Sequence, residues 1–134
     1  MNIAGSLRID ADTVQASPLG LEGLAKSAGD LRSYENEVLA SLQGLEGLID
    51  TAGRLHLCGN GVLASLHGLD GLKTVGVDAR RRGNGMLTKV FGIECLTNNA
   101  GNLVVSGNDV LASLQGFDGL KTVGGDVRIH ENRM

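Results

Sequence analysis

VLASLQGFDGLKTVGGDVRIHEN, residues 110–132, decides the fold, because it is one copy of a pattern that returns every 24 residues. Residues 62–84 read VLASLHGLDGLKTVGVDARRRGN, residues 38–60 read VLASLQGLEGLIDTAGRLHLCGN, and residues 86–108 carry the more divergent MLTKVFGIECLTNNAGNLVVSGN. Val14, Val38, Val62, Met86, Val110 and Met134 mark a register that never slips. A partial copy, residues 2–13, precedes the five full ones, with IAGSLRI at 3–9 matching VGGDVRI at 123–129. All 21 glycines fall in six of the 24 columns and 20 of the 21 leucines in six others. Each copy therefore repeats one backbone path and one packing direction.

Within a copy, GGDVRI (124–129) and its parallels GDLRS, GRLHL and GNLVV alternate apolar and polar residues, the pattern of a short strand with one buried face. Leu31, Leu55, Leu103 and Val127 point inward, and Arg32, His56, Val104 and Arg128 point outward. Asp12, Asn36, Asn60, Asn84, Asn108 and Asn132 follow at one column. Their side chains suit a sharp, partly buried turn and can bond one another from coil to coil. The stretch LASLxGLxGL places Leu every third residue with Gly between, which argues for an extended or tightly turning path and against a helix. The expected fold is one domain, residues 1–134: a β-rich solenoid of 24-residue coils starting at 14, 38, 62, 86 and 110, roughly 25–30 Å long.

Composition agrees. The chain has 134 residues, three aromatics and no Trp, so small and branched aliphatics must fill the core. Net charge is −3, from 12 Lys and Arg against 15 Asp and Glu, without the basic footprint of a general nucleic-acid binder. No apolar run approaches the ~18 residues of a membrane span. Cys58 and Cys95 are too few for a disulfide scaffold or a zinc site and read as independent thiols. The N-terminus lacks a basic and then apolar leader, so the expected location is cytoplasmic, or extracellular for a processed fragment.

Stacked coils turn every column into a ladder of side chains, and function is sought column by column. Three columns face outward on the longer strands: Ser6, Asp30, Arg54, Asp78, Asn102 and Asp126; Arg8, Arg32, His56, Arg80, Val104 and Arg128; Asp10, Tyr34, Cys58, Arg82, Ser106 and His130. Acidic beside basic columns form ion pairs. The same face offers a polar recognition surface of Arg8, Arg32, Tyr34, His56, Arg80, Arg82, Arg128 and His130, with Tyr34 as its aromatic anchor. A further ladder, Glu22, Glu46, Asp70, Glu94 and Asp118, is wholly acidic and needs solvation or compensation, for which Lys26, Lys73 and Lys121 stand nearby. A flat acidic row does not supply the converging oxygens of a calcium site.

Arg81 occupies an inward column otherwise held by residues such as Ile9, Leu57, Val105 and Ile129. Two readings follow: a strand that bulges outward as the repeat decays, or an anion site at Arg80, Arg81 and Arg82. His56, His67 and His130 converge with no nucleophile or acid by column, so no catalytic residue, metal or cofactor is expected.

The pattern LxIxxNxxLxSLxGLxGLxxVGGDLxI, fullest from Val110 to Asn132, resembles the leucine-rich repeat, and more closely its receptor L-domain variety from growth-factor receptor ectodomains and microbial surface proteins. The resemblance covers essentially the whole chain. It implies a right-handed solenoid, or right-handed β-helix, with a parallel sheet on one side, a turn-rich or short-stranded second side, and binding across the ordered sheet face. The expected role is thus a non-enzymatic protein-interaction module with an unknown protein partner. A structural or self-assembling solenoid is the alternative, and a glycan or small-molecule binder a third reading. Both ends look uncapped, exposing Ile3, Leu7 and Ile9 at one and Val127 and Ile129 at the other, which leads to the expectation of a homodimer through the ends.

Overall fold

A computed structural model describes residues 1–10 and 17–133, with Asp10 defined in its backbone only. Asp12, Val14 and Met134, and the side chain of Asp10, lie outside the described residues. Among the described residues there is no helix, and each coil contributes one four-residue and one two-residue strand. The long strands are β2 (Leu7–Asp10), β4 (Leu31–Tyr34), β6 (Leu55–Cys58), β8 (Ala79–Arg82), β10 (Leu103–Ser106) and β12 (Val127–His130). The short ones are β1 (Asn2–Ile3), β3 (Lys26–Ser27), β5 (Asp50–Thr51), β7 (Thr74–Val75), β9 (Asn98–Asn99) and β11 (Thr122–Val123). Each set forms a six-stranded parallel sheet in sequence order. Neighbours pair residue for residue at an offset of 24, so Leu31, Leu55, Ala79, Leu103 and Val127 form one row. The chain is a β-solenoid of about five turns.

The leucine stretch is a chain of tight turns. Leu45 N–H donates to Leu42 O at 3.2 Å and Leu48 N–H to Leu45 O at 2.9 Å, and Leu69 and Leu72 repeat this at 3.1 and 2.9 Å. Each turn hands one leucine to the core, and the stack of these with Leu31, Leu55, Leu103, Val105 and their neighbours is closed to solvent. Gly44, Gly68, Gly92 and Gly116 hold φ of 100–115° at the turns. A Cβ on any of them would sit 2.0–2.2 Å from backbone of the preceding coil, so glycine is required both for its dihedral and for the closeness of the stack.

Asparagine forms the expected ladder. Asn60, Asn84 and Asn108 each donate a backbone N–H to Oδ1 of the asparagine one coil on, at 3.2, 3.1 and 3.1 Å. Their Nδ2 groups donate back to the carbonyls of Ser33, Leu57 and Arg81. One amide thereby satisfies both a backbone N–H and a carbonyl of the preceding coil, in a region closed to water. Ser33, a polar residue in the inward column, serves the same ladder: it accepts from Asn36 Nδ2 and donates to Asn60 Oδ1, both at 2.8 Å.

Two outward ladders also hold backbone. Glu22, Glu46, Asp70, Glu94 and Asp118 accept from the N–H of Gly20, Gly44, Gly68, Gly92 and Gly116 at 2.7–3.1 Å. These amides, with solvent, compensate the acidic row; Lys26 instead pairs with Asp50 at 3.3 Å. The Gly20 N–H holds the Glu22 carboxyl below its ordinary range. Burial opposes the charge of Asp70, but the Gly68 N–H and His67 outweigh it and its carboxyl also titrates low. In the other ladder Asp30 accepts from Arg54 N–H at 2.7 Å, Asp78 from Asn102 N–H at 2.9 Å and Asn102 from Asp126 N–H at 2.8 Å.

Two expectations are corrected. Strand β8 does not bulge: Arg81 pairs in register between Leu57 and Val105, and its side chain is 0% exposed. Its three guanidinium nitrogens have no hydrogen-bond partner, and the ring of Phe117, 5.3 Å away, is the group it stacks on. Ile9, expected exposed at the first end, is buried at 7%, whereas Val127 at 54% and Ile129 at 40% are exposed as expected, since nothing among the described residues covers the far side of β12.

Arg81 thus carries an uncompensated buried charge, and burial pushes its pKa down to about 10. Arg81→Met should stabilise the protein by about 2 kcal/mol, which at roughly 4 °C per kcal/mol is readable by thermal melting. The sign extends to pH: the unfolded chain holds this proton to higher pH than the folded one, so the wild-type penalty fades as pH rises above about 10. The Met variant should lack that component.

Candidate functional site

Once the side chains that hold backbone are set aside, the outward columns of the long sheet leave a shallow groove of about 440 Å³. It crosses β4 to β12 and is lined by Tyr34, His56, Cys58, Arg80, Arg82, Val104, Ser106, Arg128 and His130. In-register stacking makes the groove. Cys58 and Ser106 are short residues in a column whose other groove members, Tyr34, Arg82 and His130, are long, so each short residue floors a gap between two long ones.

Six of the eight residues chosen from the sequence line it: Tyr34, His56, Arg80, Arg82, Arg128 and His130. Arg32 does not, and its guanidinium is tied to Asp30. Arg8 lies in a separate depression with Leu7, Ile9 and Pro18. Ser106, Cys58 and Val104 belong to the groove without having been chosen. What singles them out is small size among long neighbours in their columns, a signal of contrast rather than of residue type.

Most cations of the face are matched. Arg80 reaches Asp78 at 3.4 Å, Arg54 the same Asp78 at 3.9 Å, and Arg128 reaches Asp126 at 2.9 Å. His130 Nδ1 lies 3.7 Å from Glu131. Arg82 has no ion pair among the described residues, and no carboxylate is among the groove's lining residues.

The floor is polar and unsatisfied. His56 points outward in its strand but is only 9% exposed, with the Tyr34 hydroxyl 2.6 Å from Nδ1 and the two rings edge to face at 6.1 Å. With the hydroxyl as donor, the imidazole carries its proton on Nε2, which has no partner. Ser106 is 1% exposed and its Oγ also has none. Each such group costs about 1–3 kcal/mol while unpaired. Burial, then the charges of Arg80, Arg54 and Arg32, hold the His56 pKa below its ordinary value, so the ring is neutral at pH 7. Burial likewise pushes the Cys58 thiol up, against the pull of the Arg82 N–H and the nearby guanidinium groups. A protonated, half-buried thiol is a poor nucleophile.

The groove therefore presents the Arg82 guanidinium without an ion pair among the described residues, and His56 Nε2 and Ser106 Oγ without a hydrogen-bond partner. Ser106 Oγ has no hydrogen bond to a base, which is the pairing a nucleophilic serine needs. Among the described residues no three His, Cys, Asp or Glu side chains gather where a metal ion would be held, and no helix is long and apolar enough to cross a membrane. No protein-family model matches the chain, and no curated protein matches it in sequence.

His56 gives the site a pH signature. Its folded pKa is below that of the unfolded chain, so U binds more protons than N between the two values, and stability falls as pH drops from 6.5. Denaturant melts at pH 7.0, 6.0 and 5.0 should show that loss in the wild type and a flatter profile in His56→Gln.

Proposed function

We propose that the protein is a non-enzymatic interaction module that presents the outward face of its long sheet to a macromolecular partner. The observation that carries the reading is the groove at Arg82, a cation without a carboxylate partner among the described residues, in a lining with no acidic residue. A rigid parallel sheet supports it, since side chains held at fixed intervals by backbone pairing bind with little ordering cost. The repeat's resemblance to leucine-rich repeats of the receptor L-domain type points to the same face. Tyr34, fixed by His56, supplies an aromatic contact beside the arginines.

Affinity capture from the native source tests this with two charge-matched variants. Arg80→Glu, Arg82→Glu and Arg128→Glu together should abolish recovery of the partner. Lys26→Glu, Lys73→Glu and Lys121→Glu, an equal change in net charge away from the groove, should leave it unchanged. Equal behaviour of the two, with strand circular dichroism retained in both, would defeat the proposal.

A self-assembling solenoid is the second reading, favoured by the open surface of the last coil, where all four residues of β12 are exposed, Val127 and Ile129 among them. An uncovered parallel edge with apolar side chains templates further pairing. Light scattering across a concentration series should then show a mass that rises from 13.9 kDa and falls back in Val127→Lys/Ile129→Lys. A constant 13.9 kDa at high micromolar concentration rejects it.

A further inference from the structure

We infer that the groove seats an oxyanion carried by an acidic segment of the partner protein, bound by the Arg82 guanidinium with the Ser106 hydroxyl as a hydrogen-bond donor on the floor. The inference rests on the interaction-module reading and names the chemistry of its contact.

The first argument is the distribution of counterions. Arg32, Arg54, Arg80 and Arg128 each have an aspartate within ion-pair distance, and those aspartates belong to the column that also holds backbone N–H groups. Arg82 stands in the other outward column, whose groove members Tyr34, Cys58, Ser106 and His130 include no acid. It is exposed and free to take an external counterion, and a guanidinium fork matches a carboxylate or phosphate edge.

The second argument is the floor. Ser106 pairs in register with Arg82 on one side and His130 on the other. Strands ~4.8 Å apart put the two long side chains about 10 Å from each other with the serine between them, a gap that one oxyanion group fills. Ser106 Oγ is almost wholly buried and unpartnered. A buried hydroxyl without a partner beside an unpaired guanidinium is a pair of donors awaiting one acceptor. His56 Nε2, across the groove and also unpartnered, is a third donor of the same polarity.

The third argument is extent. Five strands carry the groove, spanning roughly 19 Å across the sheet, which is the length of about six extended residues. Arg82 on β8 and Arg128 on β12 stand two strands apart, about 10 Å, far enough to meet different acidic side chains of one short segment. The net charge of −3 and the flanking aspartates make the attraction local, so it should weaken steeply with salt.

Fluorescence anisotropy at low ionic strength tests the assignment with two fluorescein-labelled peptides, an octaglutamate and a neutral octamer bearing one phosphoserine, and with labelled oligothymidylate. Either peptide should bind, the tighter of the two identifying carboxylate or phosphate as the source. Arg82→Ala should weaken it at least tenfold, Arg82→Lys less, and Ser106→Ala three- to tenfold, while Lys121→Ala stays within twofold. Absence of binding by both peptides, equal losses in Arg82→Ala and Lys121→Ala, or oligothymidylate binding more tightly than either peptide would overturn it. The two levels separate cleanly. Loss of the captured partner in the triple arginine reversal with peptide binding indifferent to Arg82 keeps the module and rejects the oxyanion seat. Retention of the partner with Arg82-dependent peptide binding does the reverse.

Discussion

A buried asparagine amide that must bond its counterpart in the next coil is the constraint on which this molecule depends. Each side chain of the ladder satisfies a backbone N–H or carbonyl that the turn leaves without a strand partner, in a place water does not reach. The amide group is short, so it closes these bonds only when adjacent coils follow the same path at strand spacing. Everything else inherits that requirement. Leucines stack on leucines because the path places them there, and glycine occupies the turns where the preceding backbone leaves no room for a Cβ. Carboxylates at one column reach amides at another.

The interaction face arises where the repetition is broken. A column of identical long side chains would give a uniform ridge, and Cys58 and Ser106 between Tyr34, Arg82 and His130 turn that ridge into a groove. Arg81 shows the cost of the same local divergence. It lies on β8 between two arginines that face the groove, and alternation of the strand sends it into the core with only a ring face for company. Shifting the strand by one residue would bury Arg80 and Arg82 in its place, so the fold keeps the smaller penalty.

The period, the strand directions and the asparagine ladder were legible in the sequence because they are written six times over, and repetition averages out the ambiguity of any single copy. What was not legible depends on neighbours in space within one column. His56 reads as an outward residue, yet it is nearly closed to solvent with its ring against Tyr34. The acidic row reads as a problem of repulsion, yet its oxygens face glycine amides two residues back, a relation between columns that spacing alone does not display. Arg81 reads as a bulge because a buried, unpaired guanidinium is the costlier arrangement for an isolated strand. Five of the six strands of its sheet pull the other way, and pairing with Leu57 and Val105 holds it in line.

The two-residue strands and the ladders bond across a separation of 24 residues, and this has a bearing on how such a chain changes length over generations. A deletion or insertion of a few residues breaks the 24-residue separation of every bond that straddles it, whereas gain or loss of one whole unit keeps the straddling positions in register. Copy number can therefore change in steps of one coil at little cost to the fold, whereas a partial unit leaves one coil out of register with its neighbours. Where the added unit falls decides what survives. Outside β4–β12 it lengthens the molecule and leaves the groove whole; between β6 and β8 it separates Tyr34 and His56 from the arginines, dismantling the face without disturbing the fold.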